Sequence, residues 1–302
     1  MGTLQVQELI DAGIHFGHPA SRWNPKMAPY IYGRRNFIHI IDLKETVKGI
    51  LRAKKFLTRL VAEGRDIVFV GTKRQARAAV EQEAKRCSMP YVSYRWLGGT
   101  LTNFRTIRSR LGRLEELDQL ETSGAINQYS KKMISSLQRE HRKMKRNLDG
   151  LRTLERLPGA LVVVDPCREK NAVAEAKKLG VPVVALADTE ANPDDLSVVI
   201  PGNDDAMRAI EIVMKQLADA VAEGMANRAA RAVVEGEGAA LVRAPSRPRA
   251  RSAPRPEKTE PERPAFEMPL PKPHPAMQEP PAAGETPAGA APAGEAPAGG
   301  AS

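Results

Sequence analysis

Lys73 and Arg74 follow the single glycine of "DIVFVGTKRQARAAVEQEAKR", residues Asp66 to Arg86. The stretch reads as a buried strand, a turn at Gly71 and a helix from about Thr72 to Cys87. The free N–H groups and macrodipole of a helix start attract anions, and two cations stand where a phosphate would sit. Neither G-x-G-x-x-G nor G-x-x-x-x-G-K-[ST] is present, so the backbone approach that nucleotide turns rely on is missing. The long side chains at 73, 74 and 75 would obstruct that approach and yet could reach an external phosphate. The plainer alternative is that Gly71 merely ends a strand and Lys73 is solvated.

Two further stretches carry the same chemistry. In "YRWLGGTLTNFRTIRSR", Arg95 and Trp96 set a cation beside an aromatic plane, Thr102 and Asn103 are capping-type residues, and Arg105 and Arg108 follow. Aromatic and guanidinium planes stack on unpaired bases, and small polar groups hold phosphates. Trp96 could equally pack inward at a helix start. From "SRWNPKM" to "YGRRN", Arg22, Lys26, Arg34 and Arg35 alternate with Trp23, Asn24, Tyr30 and Tyr32. Three such clusters on loops or helix starts favour a broad RNA footprint over one pocket.

Enzymatic groupings are weaker. There is no G-x-S-x-G elbow, and nothing in the sequence cues Cys87 or Cys167 for activation. His15 and His18 have metal-like spacing, and Asp188, Asp204 and Asp205 could converge near a strand end; imidazole with carboxylate suits zinc, and carboxylates alone suit magnesium. The ligand set is not closed, so neither a cofactor nor a catalytic residue is assigned. The rival readings are a sugar- or nucleotide-phosphate enzyme using the same strand ends, and a protein-only adaptor.

The elements that must hold these residues alternate. A short helix ends at Gly13, and residues 14–36, rich in proline and glycine, read as a loop laid over a surface. "FIHII" is a strand, and Asp42 caps a helix through Glu63 with Val47, Ile50, Leu51, Leu57, Leu60 and Val61 inward. "DIVFVG", "YVSY", "ALVVVD", "PVVALAD" and "SVVIPGNDD" are strands interleaved with helices, the last running from about Asp204 to Glu223. This rhythm predicts an α/β fold, a mostly parallel sheet with helices on both faces and ligand positions outside the strand ends at Gly71, Asp165 and Asp188. Residues 105–156 interrupt it with two helical blocks, which predict an antiparallel hairpin projecting from the sheet. That insert holds thirteen Lys or Arg against seven Asp or Glu, although a charged helix face is often only solvated. The α/β domain is therefore expected over 1–104 and 157–235.

Composition bounds the rest. Of 24 prolines, fifteen follow Val242, in a Pro/Ala/Gly-rich extension that lacks the side chains to repay its ordering entropy. Residues 236–302 are expected to be disordered. The segment from Arg243 has eight Lys or Arg against seven Glu, so nearly all of the net +10 sits on the folded part and points to a polyanionic partner. Two cysteines without metal spacing fit a reducing compartment. No apolar run approaches a membrane span, and the N-terminus lacks a signal pattern, so a cytoplasmic protein is expected.

"ELIDAGIHFGHPASRWNPKM", "IYGRRNFIHIIDL", "FVGTKRQA", "RWLGGTLTN", "PGALVVVDPCREKNAVAEAKKLGVPVVALADT" and "VIPGNDDA" occur in that order. On these motifs the chain, over about residues 4–225, closely resembles the bacterial small-subunit ribosomal protein two family. The resemblance implies a flavodoxin-like sheet with an inserted coiled-coil hairpin and a place between head and body of the small subunit, on ribosomal RNA. It also implies ribosomal protein one as a neighbour among other small-subunit proteins. A ribosome-associated, non-enzymatic, non-membrane protein that does not form a homo-oligomer is expected. The extension has no counterpart in the family pattern.

Overall fold

The computed structural model describes residues 5–242, with side chains to 230. Its centre is a five-stranded parallel sheet of β4 (Ile67–Val70), β5 (Tyr91–Val92), β6 (Ala160–Val164), β7 (Val183–Ala187) and β8 (Val198–Pro201), in the order β5-β4-β6-β7-β8. Counting only these five, the first strand in the chain lies second in space and the second lies outside it. That is the flavodoxin-like arrangement, whose order reverses between β4 and β6. Every residue of β4, β6 and β7 is buried, as expected of strands covered on both faces.

Alternate residues of the strands face two separate cores. Ile67, Phe69, Val162, Val164 and Leu186 pack with Ile50 and Leu57 of α2 (Leu43–Ala62), Val80 of α3 (Arg77–Arg86), and Ile210 and Leu217 of α7 (Met207–Val242). Val68, Val70, Leu161 and Val163 pack with Ile107, Leu111 and Leu114 of α4 (Phe104–Thr122), Leu148 of α5 (Lys131–Leu148), and Ala172 and Ala176 of α6 (Lys170–Leu179). The bases of α4 and α5 are thus part of the sheet's cover rather than a purely projecting arm. Leu51, expected inward, is 56% exposed.

Two glycines mark close packing. At Gly71 an added Cβ would come within 2.8 Å of Val80 Cγ2, so glycine there lets α3 lie against the strand end, a reason unrelated to phosphate. At Gly224 a Cβ would meet Thr58 O at 2.8 Å, where α7 crosses α2.

The N-terminal segment corrects the expectation of a loop over residues 14–36. After α1 (Val6–Asp11) it forms a three-stranded antiparallel sheet, β1 (Phe16–Pro19), β2 (Ile31–Arg35) and β3 (Ile38–Ile41), in the order β1-β3-β2. The prolines that suggested a loop fall where they do not interrupt pairing: Pro19 ends β1, while Pro25 and Pro29 lie in a 3-10 turn capped by Asn24. Arg35 pairs with Ile38, so Asn36 and Phe37 form a two-residue connection, with φ of 48° and 63°. Such turns favour Asn-Gly, and a phenylalanine in the glycine position costs about 1 kcal/mol in backbone strain.

Helix boundaries also move. α3 begins at Arg77, so Lys73 and Arg74 lie in the preceding turn and not in a helical first turn. α7 continues beyond Glu223 and takes in residues 236–242 of the expected extension. The remainder, 243–302, lies outside the described residues.

Candidate nucleic-acid interface

Lys73 is the first sequence candidate that the structure relocates. It is 9% exposed, and its Nζ lies 2.6 Å from Asp204 Oδ1, 2.7 Å from Asp205 Oδ1 and 3.4 Å from Asp165 Oδ2. Beside it, Glu169 accepts hydrogen bonds from the backbone N–H and the hydroxyl of Thr72. These contacts occupy the end of the crevice between β4 and β6, where a fold of this order would take a ligand. The ammonium balances the protein's own carboxylates, which corrects its expected place facing an external phosphate. Burial opposes the charge, but hydrogen bonds to Asp204 and Asp205 hold Lys73 above the ordinary lysine range. One ammonium cannot neutralise three carboxylates: burial and then the charge of Asp165 push Asp204 up to about 7.

The same cluster fastens the N-terminal sheet. His18 Nδ1 lies 2.8 Å from Asp188 Oδ2, and its backbone N–H donates to Asp188 Oδ1 and Thr189 Oγ1, each at 3.1 Å. The bond to Asp188 raises His18 to about 9, against the opposing effect of burial. Ligand-type atoms of His18, Asp188 and Asp204 lie within 4.8 Å of one another, and Asp205 is near both His18 and Lys73. This is a zinc-type donor set, although Lys73 already contacts one of its carboxylates. His15 lies outside the set, with its ring tilted against Phe16 at 4.1 Å.

Trp96 is the second relocation. At 6% exposure it packs in the core under α4, which corrects its expected place as a stacking platform. Its Nε1 donates to Glu175 Oε1 at 3.1 Å, and the same carboxylate accepts from the N–H groups of Gly99, Leu101 and Thr102 and from the Thr102 hydroxyl. Burial works against that charge, but the backbone and indole donors hold Glu175 below the usual glutamate range. Thr102 is thereby committed within the protein, and Asn103 Oδ1 accepts from the Thr106 hydroxyl at 2.8 Å. Glu175 escapes sequence reasoning because it sits on a helix about seventy residues from the loop it organises.

Arg22, Arg34, Arg35, Arg74, Arg95, Arg105 and Arg108 remain exposed, Arg108 also donating to Leu154 O at 3.2 Å. Lys26 is exposed and pairs with Asp194, while Asn24 serves as a cap. Trp23 is 37% exposed, its ring 5.1 Å from that of His39. The structure adds a site that the spacing concealed: Tyr94 carries the guanidinium of Arg146 at 4.1 Å from its ring centroid and that of Arg77 at 4.8 Å. With Lys145 and Asn147 they line a cleft of about 340 Å³. Arg139, Arg142, Lys143, Lys145 and Arg146 are all exposed along α5. Burial raises the Cys87 thiol to about 11 and the Cys167 thiol to about 12, so neither is an activated nucleophile. Among the described residues no helix is long and apolar enough to cross a membrane.

The family model described as "Ribosomal protein S2" matches residues 9–224. The chain is also similar to "Small ribosomal subunit protein uS2" of Rhodopirellula baltica, at 62% identity over 219 residues, which cover 72% of this chain and 84% of that protein. A strand-end crevice closed by internal ion pairs and a surface of exposed arginines fit a structural constituent of the small ribosomal subunit in translation and not an enzyme, and the chain belongs to the ribosomal protein S2 family.

Proposed function

We propose that this protein holds folded small-subunit ribosomal RNA through three exposed basic surfaces, with the sheet as the rigid support. What supports the reading is how the cations sort. Lys73, Arg86 and Arg152 are bound to the protein's own carboxylates, whereas Arg22, Arg34, Arg35, Arg74, Arg95, Arg105 and the lysines and arginines of α5 are exposed and form no ion pair among the described residues. An extended phosphodiester chain takes up charge spread in this way, and a single small ligand does not. α4 and α5 act as a coiled-coil hairpin that lengthens the contact. The protein lies between head and body of the subunit, with ribosomal protein one as its neighbour, as the family resemblance implies.

The test is the triple change Arg74→Glu, Arg95→Glu and Arg105→Glu in the full chain. The variant keeps its far-ultraviolet dichroism and melting point but fails to load onto subunits lacking this protein. Normal loading at physiological salt would refute the footprint. Lys73 stays unchanged in this variant because its replacement disturbs the fold itself.

A further inference from the structure

We infer that Phe37, at the tip of the β2–β3 hairpin, is a stacking residue for an unpaired base of the bound RNA. The inference rests on the proposed RNA reading and names the contact that this hairpin makes. Phe37 is 80% exposed and makes no contribution to either core, yet it occupies a left-handed backbone position, φ 63°, where glycine is favoured. The fold therefore keeps a strained, exposed aromatic ring that its own packing does not use. Strain that the fold does not need points to a role outside the chain.

The surroundings identify the partner's charge. Arg34 and Arg35 precede the turn and are exposed, and Ala20 N–H donates to Phe37 O at 2.8 Å, which sets the Arg22 segment beside the tip. From Ala12 to Ile41 the chain contains four Lys or Arg and no Asp or Glu. An exposed aromatic ring preceded by two exposed arginines, in a segment with no Asp or Glu of its own, matches a nucleic-acid strand: phosphates meet the arginines and a base face meets the ring. An apolar protein groove would use the ring but leave these cations without a complement.

Binding of the full chain to deproteinised small-subunit ribosomal RNA, measured over a salt series, tests this with Phe37→Ala, Phe37→Gly, Phe37→Trp and Arg34→Gln. Phe37→Ala weakens binding about tenfold or more, with the slope against log salt unchanged, since stacking releases no counterions. Arg34→Gln flattens the slope. Phe37→Gly relieves the turn and raises the melting midpoint by about 2 to 4 °C, yet binds as weakly as Phe37→Ala. Phe37→Trp binds like the unchanged protein. A purely structural residue could not gain stability and lose binding together.

Unchanged binding by Phe37→Ala overturns the inference while leaving the RNA reading standing. So does loss of a co-purifying protein, after nuclease treatment, in a variant whose RNA affinity is intact. Absence of RNA binding by the unchanged protein overturns both.

Discussion

The Lys73 ammonium lies 2.6 Å from Asp204 Oδ1, joining two points 131 residues apart in the chain. The turn after β4 is thereby tied to the loop after β8, and through Asp165 to the loop after β6. Removing the cation leaves buried Asp204 and Asp165 facing each other without a counter-charge. Lys73→Ala is expected to cost about 3 kcal/mol, whereas Arg74→Ala, one exposed residue further on, should stay within about 0.5 kcal/mol. Urea unfolding of the two variants measures the difference, and equal midpoints would show that the cluster does not brace the strand ends.

The same cluster sets a pH dependence with a defined sign. His18 is raised from 6.5 to about 9, so the native state holds its proton longer than the unfolded chain does. Its stabilisation is fully present below pH 6.5 and is lost as pH rises through 9. Asp204, raised from 3.8 to about 7, acts in the same direction at lower pH: its contribution is present below 3.8 and is lost through 7. The melting midpoint should therefore fall between pH 6.5 and 9. His18→Asn flattens that interval, and Asp204→Asn flattens the one below it. A midpoint that climbs from pH 7 to 9 in the unchanged protein would contradict the His18–Asp188 contact.

Much of the sheet was legible because its signal is local. "DIVFVG" and "ALVVVD" are apolar runs bounded by polar turns, and Asp42 caps α2 as its position suggested. The N-terminal sheet was hidden because its turn, Asn36–Phe37, lacks the glycine that marks a two-residue hairpin. Of the candidate site, exposed Arg22, Arg34, Arg35, Arg74, Arg95 and Arg105 lie in their expected segments, since an arginine beside turn residues tends to face solvent. Lys73 and Trp96 went inward because their partners, Asp204 and Glu175, come from elements more than seventy residues away, which no local pattern reports.

At Glu175 one carboxylate receives five donors from residues 96–102. Glu175→Ala strands the indole and backbone N–H groups and should cost about 2 to 3 kcal/mol. Glu175→Gln keeps one acceptor oxygen and should lose about half as much. Hydrogen exchange at Gly99 and Leu101 should quicken in both variants while exchange in β6 does not. Unaltered protection at these two amides would mean that the loop is held by Trp96 packing and not by the carboxylate.

The exposed cations of α5 lend themselves to a salt measurement. Arg139, Arg142 and Lys143 form no ion pair among the described residues and face solvent, so their replacement by glutamine should leave the melting point unchanged. If each meets a phosphate, the triple variant lowers the slope of log affinity against log salt by roughly 2 to 3, about 0.9 for every phosphate that is no longer neutralised. A helix face that is merely solvated gives an unchanged slope. Because counterion release counts phosphates and does not depend on which bases are present, this result weighs α5 against the Arg74–Arg95–Arg105 surface without a map of the RNA. A drop smaller than about 1, the value of a single phosphate, would assign RNA binding to the turns beside the sheet and leave α5 as cover for Val68 and Leu161.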